Sequence, residues 1–104
     1  MTIAIHARGF DLTDGIHDHV HRRLQYALGR FGDRLTRVVV RLSDINGPRG
    51  GVDKRCLVTV GIPGQHDVVA RASKTDLYSA IDLAARGAGR SLGKRLKRLR
   101  ENRQ

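Results

Sequence analysis

From Leu77 to Leu99 an apolar residue returns every three or four positions: Leu77, Ile81, Ala84, Ala85, Ala88, Leu92, Leu96 and Leu99. Steps of that size come back to one side of a helix, so the spacing predicts one long amphipathic helix. A stripe of this kind has to be covered by another element.

The cover is written upstream in segments of period two. In "TIAIHAR" Ile3, Ile5 and Ala7 share a face, which predicts a strand over Thr2 to Arg8. Thr13 is placed to cap a helix, with Asp14 in its first turn. Ile16, Val20, Leu24, Ala27 and Phe31 then form a helical stripe, predicting a helix from Asp14 to Arg30 that Gly32 stops. "LTRVVVRLSD" sets Val38, Val40 and Leu42 against Arg37, Val39 and Arg41, a second strand. "INGPRGGVD" is turn chemistry. "KRCLVTVGI" is a third strand with Cys56, Val58, Val60 and Ile62 on one face, and "PGQ" a turn. "HDVVARAS" is a fourth, facing inward with Val68, Ala70 and Ala72 or in the opposite register.

The order is therefore β-α-β-β-β-α. A right-handed crossover makes the first two strands parallel neighbours, and the hairpin-like connections make the others antiparallel. Both helices need the same apolar sheet face. The expected fold is α+β: a two-layer sandwich of a four-stranded sheet with two helices on one face, similar to double-stranded-RNA-binding domains. The other sheet face is left exposed. We expect residues 1–104 to form a single domain.

Charge narrows the partners. The 104 residues carry 20 Lys plus Arg against 10 Asp plus Glu, a formal charge of +10, with enough hydrophobic residues (39%) for a folded core. Such an excess repels itself unless an anionic partner is near, which leaves nucleic acid or an anionic membrane. No apolar run is long enough to span a bilayer, and the N-terminus does not read as a signal peptide. The lone Cys56 has no internal disulfide partner, fits a small core position, and points to a reducing, cytoplasmic location.

On the last helix, steps of 100° from Ile81 put Arg86, Arg90 and Lys97 together on the far side. Lys94 and Arg98 fall on one flank and Arg100 on the other; Arg95 and Arg103 lie nearer the apolar edge. No acid occurs between Asp82 and Glu101, whereas a merely solvated helix face mixes signs. The first helix adds Arg22, Arg23 and Arg30, of which Arg23 and Arg30 share an edge that can border a groove between the helices. A lipid-binding helix would need bulky apolar residues free to enter the bilayer, and these are committed to the sheet. There is no helix-turn-helix or zinc-finger spacing. The four aromatics, Phe10, Tyr26, Phe31 and Tyr78, supply no strand-borne stacking platform. Recognition of folded RNA by shape and phosphate fits best; a general double-stranded RNA- or DNA-binding module is the alternative. Gly87, Gly89 and Gly93 serve either close packing or close approach of an RNA backbone.

"HDHVH" places His17 and His21 one helical turn apart, and with Asp18 it mimics a zinc-hydrolase signature. A catalytic site needs a third ligand and a base that reaches the water. Asp18 is one methylene short and no third ligand is evident, so the expectation is no metal and histidines that add positive charge near RNA at lower pH. No Walker loop, nucleophile elbow or other catalytic constellation appears. The expectation is a non-enzyme without cofactor, small-molecule substrate or membrane partner.

Three segments resemble one family. "LTDGIHDHV" is similar to its Thr-Asp/Glu-Ala-Leu opening of the first helix. "FGDRLTRVVVRL" is similar to its Phe-Asp-Arg-Ile approach to the second strand, with Gly32 inserted. "TDLYSAIDLA" is similar to its Asp-Met/Leu-Tyr-x-Ala-Ile-Asp opening of the last helix. The chain thus resembles the ribosome hibernation-promoting factors, also called ribosome-associated translation inhibitors or sigma-54 modulation proteins, and by its length their short form. The resemblance implies a cytoplasmic regulator of translation under stress. It would bind small-subunit rRNA in the channel of the mRNA and the A- and P-site tRNAs, with a separate ribosome-dimerising factor as a further partner. The rRNA-binding residues would be Arg22, Arg23, Arg30, Arg86, Arg90, Lys94, Lys97 and Arg98. Arg23, Arg90, Lys94 and Arg98 match commonly basic family positions. Arg86 and Gly87 stand where an acid and a Lys are common, Tyr26 stands where a Lys is, and "NGPRGGVD" is atypical.

Overall fold

A computed structural model describes residues 1–45 and 52–102. It contains β1 (Thr2–Arg8), α1 (Asp14–Leu28), a 3₁₀ segment (Gly29–Arg34), β2 (Arg37–Asp44), β3 (Lys54–Val60), β4 (Val68–Lys74) and α2 (Leu77–Glu101). The strands form one sheet in the order β1-β2-β3-β4. β1 pairs with β2 in parallel, with Ile5 beside Val40, and the two remaining pairings are antiparallel. The expected β-α-β-β-β-α sandwich is the observed one. Residues 46–51 of the turn expected at "INGPRGGVD", and Arg103, lie outside the described residues.

Local chemistry accounts for the helix starts. Thr13 accepts a hydrogen bond from the Ile16 amide at 3.2 Å, as its position predicted. Asp76 does the same for α2, accepting from the Ser79 amide at 3.0 Å and the Ser79 hydroxyl at 2.9 Å. Each cap satisfies a donor that the first helical turn leaves without a partner. The first helix ends sooner than expected. α1 stops at Leu28 and the chain tightens into the 3₁₀ segment, so Gly32 lies inside that segment rather than terminating an α-helix. The continuation of the stripe to Phe31 reflects the 3₁₀ turn still packing on the core.

Val38, Val40, Leu42, Cys56, Val58, Val60, Val68 and Ala72 form the buried face of the sheet, which settles the register of β4. α2 lies across β3 and β4, α1 packs alongside α2, and Ile16, Val20, Leu24, Leu28, Ile81, Ala84, Ala88 and Leu92 join the same core. Ile81 is 1% exposed; burying a side chain of that size stabilises the fold by about 1.5–3 kcal/mol. Cys56 is a core residue, and burial pushes its thiol pKa up to about 12. At one end of the sheet the Lys54 ammonium is 3.0 Å from Asp53 and 3.2 Å from Asp44. The hydrogen bond to Asp53 is the main cause of its raised pKa.

Candidate nucleic-acid interface

The crossing of α1 and α2 is set by Gly89. A Cβ there would lie 3.0 Å from the Ala27 carbonyl oxygen and 3.5 Å from its Cβ, so glycine lets the two helices approach at this point. Of the two roles open to the α2 glycines, Gly89 takes close packing. Gly87 faces Ala70 of β4, where a Cβ would be at an ordinary 3.6 Å.

Above this contact runs a shallow groove. One part, of about 190 Å³, is lined by Arg23, Tyr26, Ala27, Asp82, Ala85 and Arg86. The next, of about 310 Å³, is lined by Tyr26, Ala27, Arg30, Arg86, Gly89 and Arg90. The edge shared by Arg23 and Arg30 thus borders the inter-helix groove, facing Arg86 and Arg90. The Arg30 guanidinium sits 4.5 Å from the centre of the Phe31 ring, a cation–π contact that orients it. Asp82 is the carboxylate of the groove, and it is engaged already. Its Oδ1 lies 2.6 Å from His19 Nε2 and 3.0 Å from Arg23 Nε. Four guanidiniums against one committed carboxylate leave a cationic cleft.

The α2 ridge is divided. Arg86 and Arg90 belong to the groove, while Lys94, Arg95 and Arg98 line a separate depression of about 260 Å³ against Val68 and Val69 of β4. α2 has α1 on one flank and β4 on the other, so neighbouring angles on a helical wheel open onto different surroundings. Lys97 is exposed on α2 and Arg22 on α1, and neither lines the groove. Arg95, expected near the apolar edge, is half-buried and donates to the His66 carbonyl at 2.7 Å.

The histidines do not act as one cluster. His17 and His21 stack at 4.3 Å between ring centres. His19 turns the other way, meeting Asp82 and packing edge-on against Tyr78 at 4.7 Å. It is a tie between the helices, a role that the expectation of histidines adding positive charge near RNA did not include; the signal was its i,i+4 relation to Arg23. Among the described residues no group of three His, Cys, Asp or Glu is gathered to hold a metal ion, and no helix is long and apolar enough to cross a membrane. Tyr26, expected to supply no stacking platform because it is not on a strand, lines the groove. It is 86% exposed between the groove arginines, and its place off the apolar stripe of α1 was the clue.

Known proteins share this architecture. The ribosomal subunit interface protein of Coxiella burnetii superposes with a TM-score of 0.78 at 19% identity, over 93% of this chain and 99% of that one. The N-terminal domain of Thermus thermophilus Protein Y gives 0.66 at 28% identity, over 95% and 99%. A curated ribosome hibernation promotion factor from Picosynechococcus sp. (strain ATCC 27264 / PCC 7002 / PR-6) is 32% identical over 94 residues, which is 90% of this chain. The chain spans 48% of that relative's length. The family model described as sigma 54 modulation protein / S30EA ribosomal protein matches residues 3–100. With the sandwich and its two capped helices running through all of that match, the chain belongs to the sigma 54 modulation protein / S30EA ribosomal protein family.

Proposed function

We propose that this protein is a ribosome hibernation factor that binds small-subunit rRNA in the channel of the mRNA and the A- and P-site tRNAs, and so inhibits translation by occupancy. The observation that carries this reading is the inter-helix groove, where Arg23, Arg30, Arg86 and Arg90 surround an exposed Tyr26. Guanidiniums bind phosphate oxygens through paired donors, and an exposed tyrosine ring offers a face to a base or ribose. Lys94, Lys97 and Arg98 extend the phosphate contacts along α2, and Arg22 adds one on α1. The names of the relatives, a ribosome hibernation promotion factor and a ribosomal subunit interface protein, support the ribosome as the partner. Inhibition by occupancy is stoichiometric and needs no cofactor or turnover. A cytoplasmic location and a separate dimerising factor belong to the same proposal.

The test is a filter-binding titration of purified small subunits, with and without initiator tRNA and mRNA. The expected result is mutual exclusion, together with loss of binding when Arg86 and Arg90 are both changed to Glu and circular dichroism is unchanged. The logarithm of affinity falls by roughly 0.7 to 0.9 per log unit of salt for each phosphate neutralised. Simultaneous tight binding of this protein and a P-site tRNA to one subunit rejects channel occupancy. Equal affinity for subunits and a free RNA duplex returns the protein to the class of general basic RNA-binding modules.

A further inference from the structure

A second basic surface lies on the opposite side of the molecule. On the open face of the sheet is a depression of about 650 Å³, larger than either part of the groove. Strand register explains its lining. His6 pairs with Arg41, Arg41 with Leu57, and Leu57 with Arg71, which makes one row across the sheet. The next row runs Arg8, Ser43, Arg55 and Ser73. The four arginines are exposed, and among the described residues none of them pairs with a carboxylate. No strand residue on this face is acidic. Adjacent strands are about 4.8 Å apart and two residues span about 6.7 Å, so Arg8, Arg41, Arg55 and Arg71 follow a zigzag with backbone steps of roughly 8 Å.

We infer that this open face is a second RNA-backbone site, built from Arg8, Arg41, Arg55 and Arg71, so that the protein holds two RNA segments, one against its helices and one against its sheet. The inference rests on the proposed function for the kind of anion available. Four features suit this face to an RNA backbone, of which the scarcity of apolar side chains sets it apart from a peptide groove and the absence of aromatic rings from a base-stacking site. Every basic residue in the depression except His6 is an arginine, whose planar fork matches phosphate. Ser43 and Ser73 add hydroxyl donors between the guanidiniums. Leu57 is the one large apolar side chain among the outward residues that line the depression, and Val39 and the exposed Val69 lie in the next row, outside it. No Phe, Tyr or Trp lies on the face, so the contact is with the sugar-phosphate backbone of folded RNA rather than with stacked bases.

The test compares the wild type with Arg41→Gln/Arg71→Gln, Arg8→Gln/Arg55→Gln and Arg41→Lys/Arg71→Lys. Each is titrated by filter binding across a salt series against small ribosomal subunits and against a short RNA duplex, with folding followed by circular dichroism. Each Gln pair is expected to weaken binding about tenfold or more and to lower the salt slope by about 1.4 to 1.8, two phosphate contacts' worth, while the Lys pair keeps most of the slope. If one Gln pair unfolds, the other decides. Folded Gln pairs that bind both probes within about twofold of wild type, with an unchanged slope, overturn the inference. Binding to the duplex that depends on the sheet arginines, with no binding to subunits, defeats the proposed function and leaves this site standing. Subunit binding that excludes tRNA and needs Arg86 and Arg90 but not the sheet arginines does the reverse; failure to bind either probe rejects both. A photo-crosslinker on Ser43→Cys identifies the occupant, since buried Cys56 stays unlabelled. Adducts to rRNA support the site, and adducts only to ribosomal protein overturn it.

Discussion

The groove between the helices and the open face of the sheet are both basic, but they are assembled by different rules. The groove takes its charges from two helices whose separation is held by side-chain and backbone contact, chiefly Gly89 against Ala27. It also contains a carboxylate, Asp82, that ties His19 and Arg23 across the crossing. The sheet face takes one arginine from each of four strands and positions them through the hydrogen-bonded ladder. The lesson is one of rigidity and tuning. A change in helix packing moves the guanidiniums of the groove relative to one another, whereas arginines on a ladder keep their spacing as long as the register holds.

The largest expected effect abolishes both surfaces together. Ile81→Asp places a charge without a partner in the shared core. It should cost more than about 4 kcal/mol, a large part of the stability of a chain this size, and appear as loss of the cooperative thermal transition. A folded Ile81→Asp protein that merely failed to bind RNA would show that the helices and sheet do not depend on a common core. Gly89→Val separates the two surfaces. The added side chain meets the Ala27 carbonyl, α1 is displaced, and stability should fall by about 1–3 kcal/mol in a denaturant titration. The altered groove should then bind small subunits more weakly, while the further loss caused by Arg41→Gln/Arg71→Gln stays the same. If the losses are not additive, the two faces are coupled and the ladder does not hold its arginines independently of the helix packing.

Asp82→Asn has the smallest expected effect and tests the tuning of the groove. Arg23 is half exposed in its ion pair, so thermal melting should show only about 0.5–1 kcal/mol lost. Removing the negative charge leaves Arg23 free for phosphate, and subunit affinity should rise a few-fold at low salt and converge with wild type at high salt. Weaker binding would mean that Asp82 serves to position Arg23 rather than to offset its charge.

Most of the fold was legible because each element carries a strong period. The α2 stripe from Leu77 to Leu99 and the alternation through Val38, Val40 and Leu42 gave the buried faces of α2 and β2 and, with the other periods, the element order. The face of β4 stayed open until the structure showed Val68 and Ala72 buried. The end of α1 was less legible, since a 3₁₀ turn can keep Phe31 on the core and prolong the apparent α-helical stripe. For the candidate site, the wheel of α2 showed that the basic residues avoid the core. It did not show that Arg86 and Arg90 look onto α1 while Lys94 and Arg98 look onto β4, because a single helix contains no information about its neighbours.

The sequence by itself determined the local terms: the strand and helix periods, the Thr13 cap, the charge excess, and the acid-free run between Asp82 and Glu101. These depend on residues within a few positions of each other, so one dimension is enough to read them. Tertiary structure alone decided the rest. It brought Asp82 to His19 across 63 positions of chain, set Gly89 against Ala27, and laid Arg8, Arg41, Arg55 and Arg71 side by side. Each of those arginines is an ordinary outward residue in its own strand. They become a surface only when backbone pairing brings four distant segments to spacings of a few ångströms, where unpaired charges of one sign add their fields.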